Sequence, residues 1–129
     1  MGTAGMSNAS MRTGSLDARH WVGVILALVT AGIHLLLGVR LVPSGQGIAF
    51  LLAGLGFLGA ITLLLLDYRR KTLYAVGIPF TAIQIVLWYY LNFAAGDKSF
   101  PAEVGALGAV DKAAQVALII VLVVLWRES

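Results

Sequence analysis

The chain has 129 residues, 60% of them apolar and 12% charged, with a formal net charge of +3 and a mean hydropathy of +0.93. A soluble domain is nearer about half apolar and about a quarter charged, so the composition indicates one helical membrane domain and no soluble enzyme. The absence of cysteine excludes disulfides, thiolate metal sites, iron–sulfur clusters, thiol nucleophiles and the Cys-pair chemistry of four-helix membrane thiol oxidoreductases.

Residues 1–18 are small and polar without periodicity and read as a disordered cytoplasmic tail. Met6 and Met11 are alternative starts within it; Asn8 fits a glycosylation sequon but falls on the cytoplasmic side, and Met6 breaks the myristoylation pattern. Ser15 or Asp17 is placed to cap the first helix. The first apolar run, Trp21–Val39, has nineteen residues without a formal charge and is closed by Arg40. At about 1.5 Å per residue it covers roughly 28 Å, close to the hydrocarbon thickness of a bilayer. It exceeds a signal-peptide core and no small-x-small site follows before Pro43, so it reads as a retained span.

Pro43, Gly45 and Gly47 make a short turn into the second run, Ile48–Leu66, again nineteen residues without charge. Asp67-Tyr68-Arg69-Arg70-Lys71 forms a tight basic connection. The third run, Thr72–Leu91, ends in Trp88-Tyr89-Tyr90 and contains Pro79, which removes one backbone hydrogen bond and predicts a kink. The longest loop is Asn92–Gly108, where Ser99–Glu103 reads as the start of a short interfacial helix. The last run, Ala113–Trp126, has fourteen residues and spans only if its helix starts near Val110, leaving Asp111 and Lys112 at the interface. The expected domain is 19–129, with helices at about 20–41, 47–67, 71–92 and 109–127.

Lys and Arg set the orientation. Arg12, Arg19, Arg69, Arg70, Lys71 and Arg127 fall on the side of both termini, against Arg40, Lys98 and Lys112 on the other, so both termini are expected in the cytoplasm. Arg69, Arg70 and Lys71 are the topology-setting group, and the basic balance reflects orientation and not nucleic-acid binding.

One side chain in the first run does not suit hydrocarbon: His34. Gly23, Ala27 and Ala31 recur every four residues, with Thr30, His34 and Gly38 on or beside that stripe, so this face should pack inward. On the third run Gly77, Thr81, Gln84 and Trp88 share a face, and Gln115 is the polar break in the fourth. His34, Thr81, Gln84 and Gln115 are therefore the expected intramembrane polar cluster. It would serve as a polar site for transport or ligand binding, or else as interhelical glue, with His34 bonded to one of the others or to a backbone carbonyl. Ala49, Ala53, Gly56 and Ala60 make the second helix a packing helix, inside the bundle or at a homo-oligomer contact. His20 and His34 point the same way, fourteen residues apart, but two bis-His haem sites would need a homodimer. The ligands are too few for a zinc or copper site. All six carboxylates (Asp17, Asp67, Asp97, Glu103, Asp111, Glu128) are expected outside or at the edge of the hydrocarbon, which disfavours a proton-coupled cation exporter built on a buried carboxylate. No phosphate-binding glycine loop, metal-ligand helix pair or nucleophile elbow is present.

ARHWVGVILALVTAGIHLLLG, FLLAGLGFLGAITLLLLDYRRK and YAVGIPFTAIQIVLWYYLN together resemble a group of small four-helix membrane proteins of halophilic archaea without an assigned function. The similarity runs from about Leu16 to Arg127 and implies an archaeal plasma membrane location, with no activity or catalytic residues to carry over.

The expected fold is all-α, a polytopic bundle of four antiparallel transmembrane helices. The leading functional expectation is a non-enzymatic accessory, assembly or scaffold component partnered by lipid, by its own copies or by a larger membrane complex, without cofactor. The alternative is a small transporter or ligand-binding protein using the His34 cluster. A haem-carrying redox subunit stands third.

Overall fold

The computed structural model describes residues 14–100, 102 and 104–129. Four helices account for nearly all of it: α1 (Ala18–Leu41), α2 (Gly45–Leu65), α3 (Arg70–Tyr89, continued by a π turn over Tyr90–Ala94) and α4 (Ala106–Arg127). Each is long and apolar enough to cross a membrane. Their outer faces carry side chains that water would not tolerate in such number, among them Ile25, Leu52, Val86 and Ile120, each more than half exposed. The protein is an all-α, four-helix membrane bundle. Residues 1–13, most of the expected tail with the alternative starts, the sequon and Arg12, lie outside the described residues; its last residues, 14–18, are described, and Ala18 already belongs to α1.

Asp17 caps α1: its carboxylate accepts from the backbone N–H of Arg19 at 3.0 Å and of His20 at 3.4 Å. The other candidate cap, Ser15, instead takes a hydrogen bond from the Arg70 guanidinium. The Arg19 guanidinium, then His20, hold the exposed Asp17 carboxyl below its ordinary range. Arg19 also pairs with Glu128, tying the two ends of the described chain together. Ser44 caps α2 by accepting from the Gly47 N–H at 3.1 Å. The α2–α3 turn passes through left-handed backbone at Asp67 and Arg69, and Asp67 is braced by Arg70 at 3.3 Å. Pro79 sits inside α3 without ending it.

α1 is the hub. It packs along α2 on one side and α4 on the other, and α3 packs on α4, whereas α2 and α3 touch little. The α1–α2 contact is close because three glycines remove side chains from it. A Cβ on Gly38 would lie 2.9 Å from the Leu51 nitrogen, one on Gly47 2.5 Å from the Leu41 carbonyl carbon, and one on Gly54 2.7 Å from Leu35 Cγ. In lipid such close approach, and not hydrophobic exclusion, is what holds helices together. The interior beneath is apolar: Val24, Leu64, Tyr74 and Leu125 at the end bearing the termini, then Ala27, Ala31, Phe57 and Leu118 at mid-height.

Two boundaries differ in ways that matter. α4 starts at Ala106 and not near 109, so Asp111 and Lys112 enter the bundle. Of the interfacial helix expected over Ser99–Glu103, Pro101 and Glu103 lie outside the described residues, and Ser99, Phe100 and Ala102 are not helical.

Candidate functional site

The far half of the bundle, away from the termini, holds the buried charge. α1 presents Thr30 and His34, one turn apart and both buried. α4 presents Asp111 and Gln115, four apart on its buried face, with Lys112 beside them. α3 contributes Gln84 and Trp88.

These groups form one continuous chain. The Thr30 hydroxyl donates to Asp111 Oδ1 at 2.5 Å, and Lys112 Nζ donates to Asp111 Oδ2 at 2.8 Å. Lys112 Nζ also donates to Gln115 Oε1 at 2.8 Å. Gln115 Nε2 then donates to Gln84 Oε1 at 2.9 Å, and Gln84 Nε2 closes the chain on the Phe80 carbonyl at 3.0 Å. Side-chain exposure is 6% for Asp111 and 13% for Lys112. The pair is thus an interior ion pair, with the ammonium 5.6 Å from the centre of the Trp88 ring.

His34 joins at the Asp111 end. Its Nδ1 lies 2.8 Å from the Thr30 carbonyl, 3.3 Å from the Thr30 hydroxyl and 3.6 Å from Asp111 Oδ1. A carbonyl only accepts, so Nδ1 carries a proton, and in the neutral tautomer Nε2 is then the acceptor. Phe50 and Phe57 hold the ring, edge to face and tilted, at 5.4 and 6.1 Å.

The network forms the floor of a cleft of about 870 Å³. α2 and α3 meet where Phe57 and Phe80 stack edge to face at 5.1 Å, with Gly56 against the Phe80 ring. Toward the far end they line opposite walls, Ala49 and Ala53 on one, Ile83 and Leu87 on the other. These helices are otherwise nearly out of contact, so the cleft lies between their far halves, with Gln46 and Asn92 lining it at the helix ends. Below the Phe57–Phe80 contact lies a smaller, nearly all-apolar cavity of about 70 Å³, reaching down to His20 and Tyr74.

Several expectations change. Asp111 is buried within the bundle: the earlier helix start and the Thr30 hydroxyl draw it inside, so a buried carboxylate exists and the premise against proton-coupled exchange falls. Lys112 is likewise drawn into the bundle, where Asp111 and Gln115 hold it. Gln84 and Gln115 do meet, but His34 bonds to neither; its partners are on its own helix and at Asp111. Thr81 stands apart, fully buried against the lower cavity, its hydroxyl the one buried side-chain polar atom without a partner among the described residues. Gly23, Ala27 and Ala31 do face inward. On α2 the buried face is Gly47, Gly54, Phe57 and Leu64, while Ala49 and Ala53 border the cleft, Gly56 meets Phe80 and Ala60 borders the lower cavity. His20 is engaged with Asp17 at the opposite end from His34's partners. Among the described residues no three His, Asp or Glu side chains converge as a metal site.

The signal for Asp111 was present in the sequence as spacing: Asp111, Gln115 and Leu118 repeat at four and three.

The chain belongs to DUF7475, a family of unknown function whose family model matches residues 6–126. No curated protein and no solved structure matches it.

Proposed function

We propose that this member of a functionally unassigned family is a non-enzymatic membrane protein that binds a small ligand arriving from the bilayer. It is held in the cleft between α2 and α3, against His34 and Lys112. The observation that carries the reading is the ion pair Asp111–Lys112 on the floor of an open cleft. Inside a membrane an ion pair stabilises less than well-packed hydrocarbon, and ionisable residues there mark sites of function. The cleft also has the size of small-molecule sites, roughly 300–1,000 Å³.

A scaffold acting only through helix packing is supported less well, because Ala49, Ala53, Gly56 and Ala60 are used within the bundle or at its cavities. The excess of Lys and Arg on the terminal side, sharper once Lys112 is counted as interior, supports a plasma-membrane protein with cytoplasmic termini. The cleft would then open toward the outer leaflet. The likeness to haloarchaeal membrane proteins supports that setting.

The test is native mass spectrometry of gently solubilised protein beside Ala49→Trp and Ala53→Phe, which fill the cleft without touching the network. The wild type should retain a bound small molecule that both variants lose. Equal retention by all three, or none by any, would refute the reading.

A further inference from the structure

We infer that the cleft selects an uncharged lipid whose head is a hydroxyl group; this rests on the ligand-binding reading above and names the ligand class. Three observations converge. The first is charge. Among the described residues lining the cleft the charged side chains are Asp111 and Lys112, one of each sign and 2.8 Å apart. These two fixed charges sum to zero. An anionic or cationic head would leave one net charge buried in hydrocarbon, whereas a neutral head leaves none.

The second is the pattern of open hydrogen-bonding positions. Lys112 has three N–H groups and two acceptors, Asp111 Oδ2 and Gln115 Oε1, so one donor remains toward the cleft beside Trp88. His34 Nε2 has no partner among the described residues and is the acceptor in the neutral tautomer that keeps the proton on Nδ1. This donor and acceptor match a hydroxyl, which both donates and accepts; Gln46 and Asn92 also line the cleft. A carbonyl or ether satisfies only Lys112. The third is the walls. Ala49, Ala53, Ile83 and Leu87 are apolar, which suits an alkyl chain lying between α2 and α3. A bare acyl chain would fill the walls but leave both polar groups unmatched, a loss that hydrocarbon surroundings make large.

The experiment uses the full chain with Trp21→Phe and Trp126→Phe, so that Trp88 alone fluoresces, in phosphatidylcholine nanodiscs. Four probes share one brominated sixteen-carbon chain and differ in the head: hydroxyl, methyl ether, sulfate and trimethylammonium. Bromine near Trp88 quenches it, and the mole fraction for half-quenching ranks the probes. The alcohol should bind at least about tenfold more tightly than either charged probe, and about five- to tenfold more tightly than the ether. His34→Phe should erase the alcohol–ether difference. Lys112→Met should move the preference toward trimethylammonium and Asp111→Asn toward sulfate, so a variant that fails to fold leaves the others to decide. If the sulfate or trimethylammonium probe binds as well as the alcohol and Ala53→Phe abolishes it, the cleft is a site but the hydroxyl assignment is wrong. If Ala53→Phe changes the quenching by no probe, the ligand-binding reading itself fails.

Discussion

Asp111→Asn is the substitution that most directly tests the buried ion pair. It keeps the size of the side chain and an oxygen that can still accept the Thr30 hydroxyl. What it removes is the charge facing Lys112 Nζ at 2.8 Å. Lys112 would keep only Gln115 Oε1 and the Trp88 face as compensation. Stranding one partner of a buried pair costs about 3–5 kcal/mol. Lys112 is 13% exposed and borders the cleft, so some hydration relieves it, and the lower end, about 3 kcal/mol, applies. Lys112→Gln should cost about as much by stranding the carboxylate, while the double variant, with no stranded charge, should cost under about 1.5 kcal/mol. The coupling energy is then several kcal/mol in favour of the pair. Reversible unfolding in mixed micelles, followed by far-ultraviolet circular dichroism over a detergent titration, measures all three. Additive single effects, or an Asp111→Asn loss below about 0.5 kcal/mol, would refute an interior ion pair.

Two further outcomes follow from the packing and the cap. Gly54→Ala places a Cβ 2.7 Å from Leu35 Cγ and 3.2 Å from the Ala31 carbonyl oxygen, and should destabilise by about 1–3 kcal/mol. Gly59→Ala, with nothing within 4 Å of its Cβ, should be neutral or slightly stabilising in the same titration; equal effects at both sites would discount the α1–α2 contact. At the other end, Asp17 is held below its ordinary range by Arg19 and His20. Its stabilisation is therefore complete above the ordinary Asp value, about 3.9, and fades only as pH falls further, through the lower native value. Hydrogen exchange at the amides of Arg19 and His20 should stay slow relative to an uncapped control down to about pH 4. Asp17→Asn, which still caps, should remove the pH dependence, and loosening already at pH 6 in the wild type would contradict this.

The four spans were legible because hydrocarbon imposes a coarse rule: about nineteen or twenty uncharged residues per crossing. Trp21–Val39 and Ile48–Leu66 satisfy it without interruption. The inward face of α1 was legible too, since Gly23, Ala27 and Ala31 repeat at the helical period and are all buried. Asp111 was legible only through its four-and-three spacing with Gln115 and Leu118, and Lys112 not at all. Adjacent opposite charges at the start of a short apolar run have the pattern of interface residues. Only the three-dimensional closeness of Thr30, eighty-one positions away, turns the carboxylate inward. Which glycines of α2 face α1 was equally hidden, because Gly47, Gly54, Gly56 and Gly59 surround the helix and period alone cannot choose among them.

The arrangement of the four helices bears on function more than any one residue. α1 is committed on two sides, to α2 through glycine contacts and to α4 through Thr30–Asp111. α3 is fixed to α4 in part by Gln84–Gln115. A bundle built only to pack would close its fourth edge as tightly as the others, yet between α2 and α3 closure stops at Phe57 and Phe80. Above that contact the chain puts its small residues Ala49 and Ala53 against open space, where larger apolar side chains would have sealed the wall. The buried ion pair lies at the base of this gap, not in the sealed apolar half beneath it. Packing would place charge nowhere in the interior, and topology would place it at the loops. Charge at the base of the loosely closed edge between α2 and α3 is the arrangement expected when a bound molecule fills the gap.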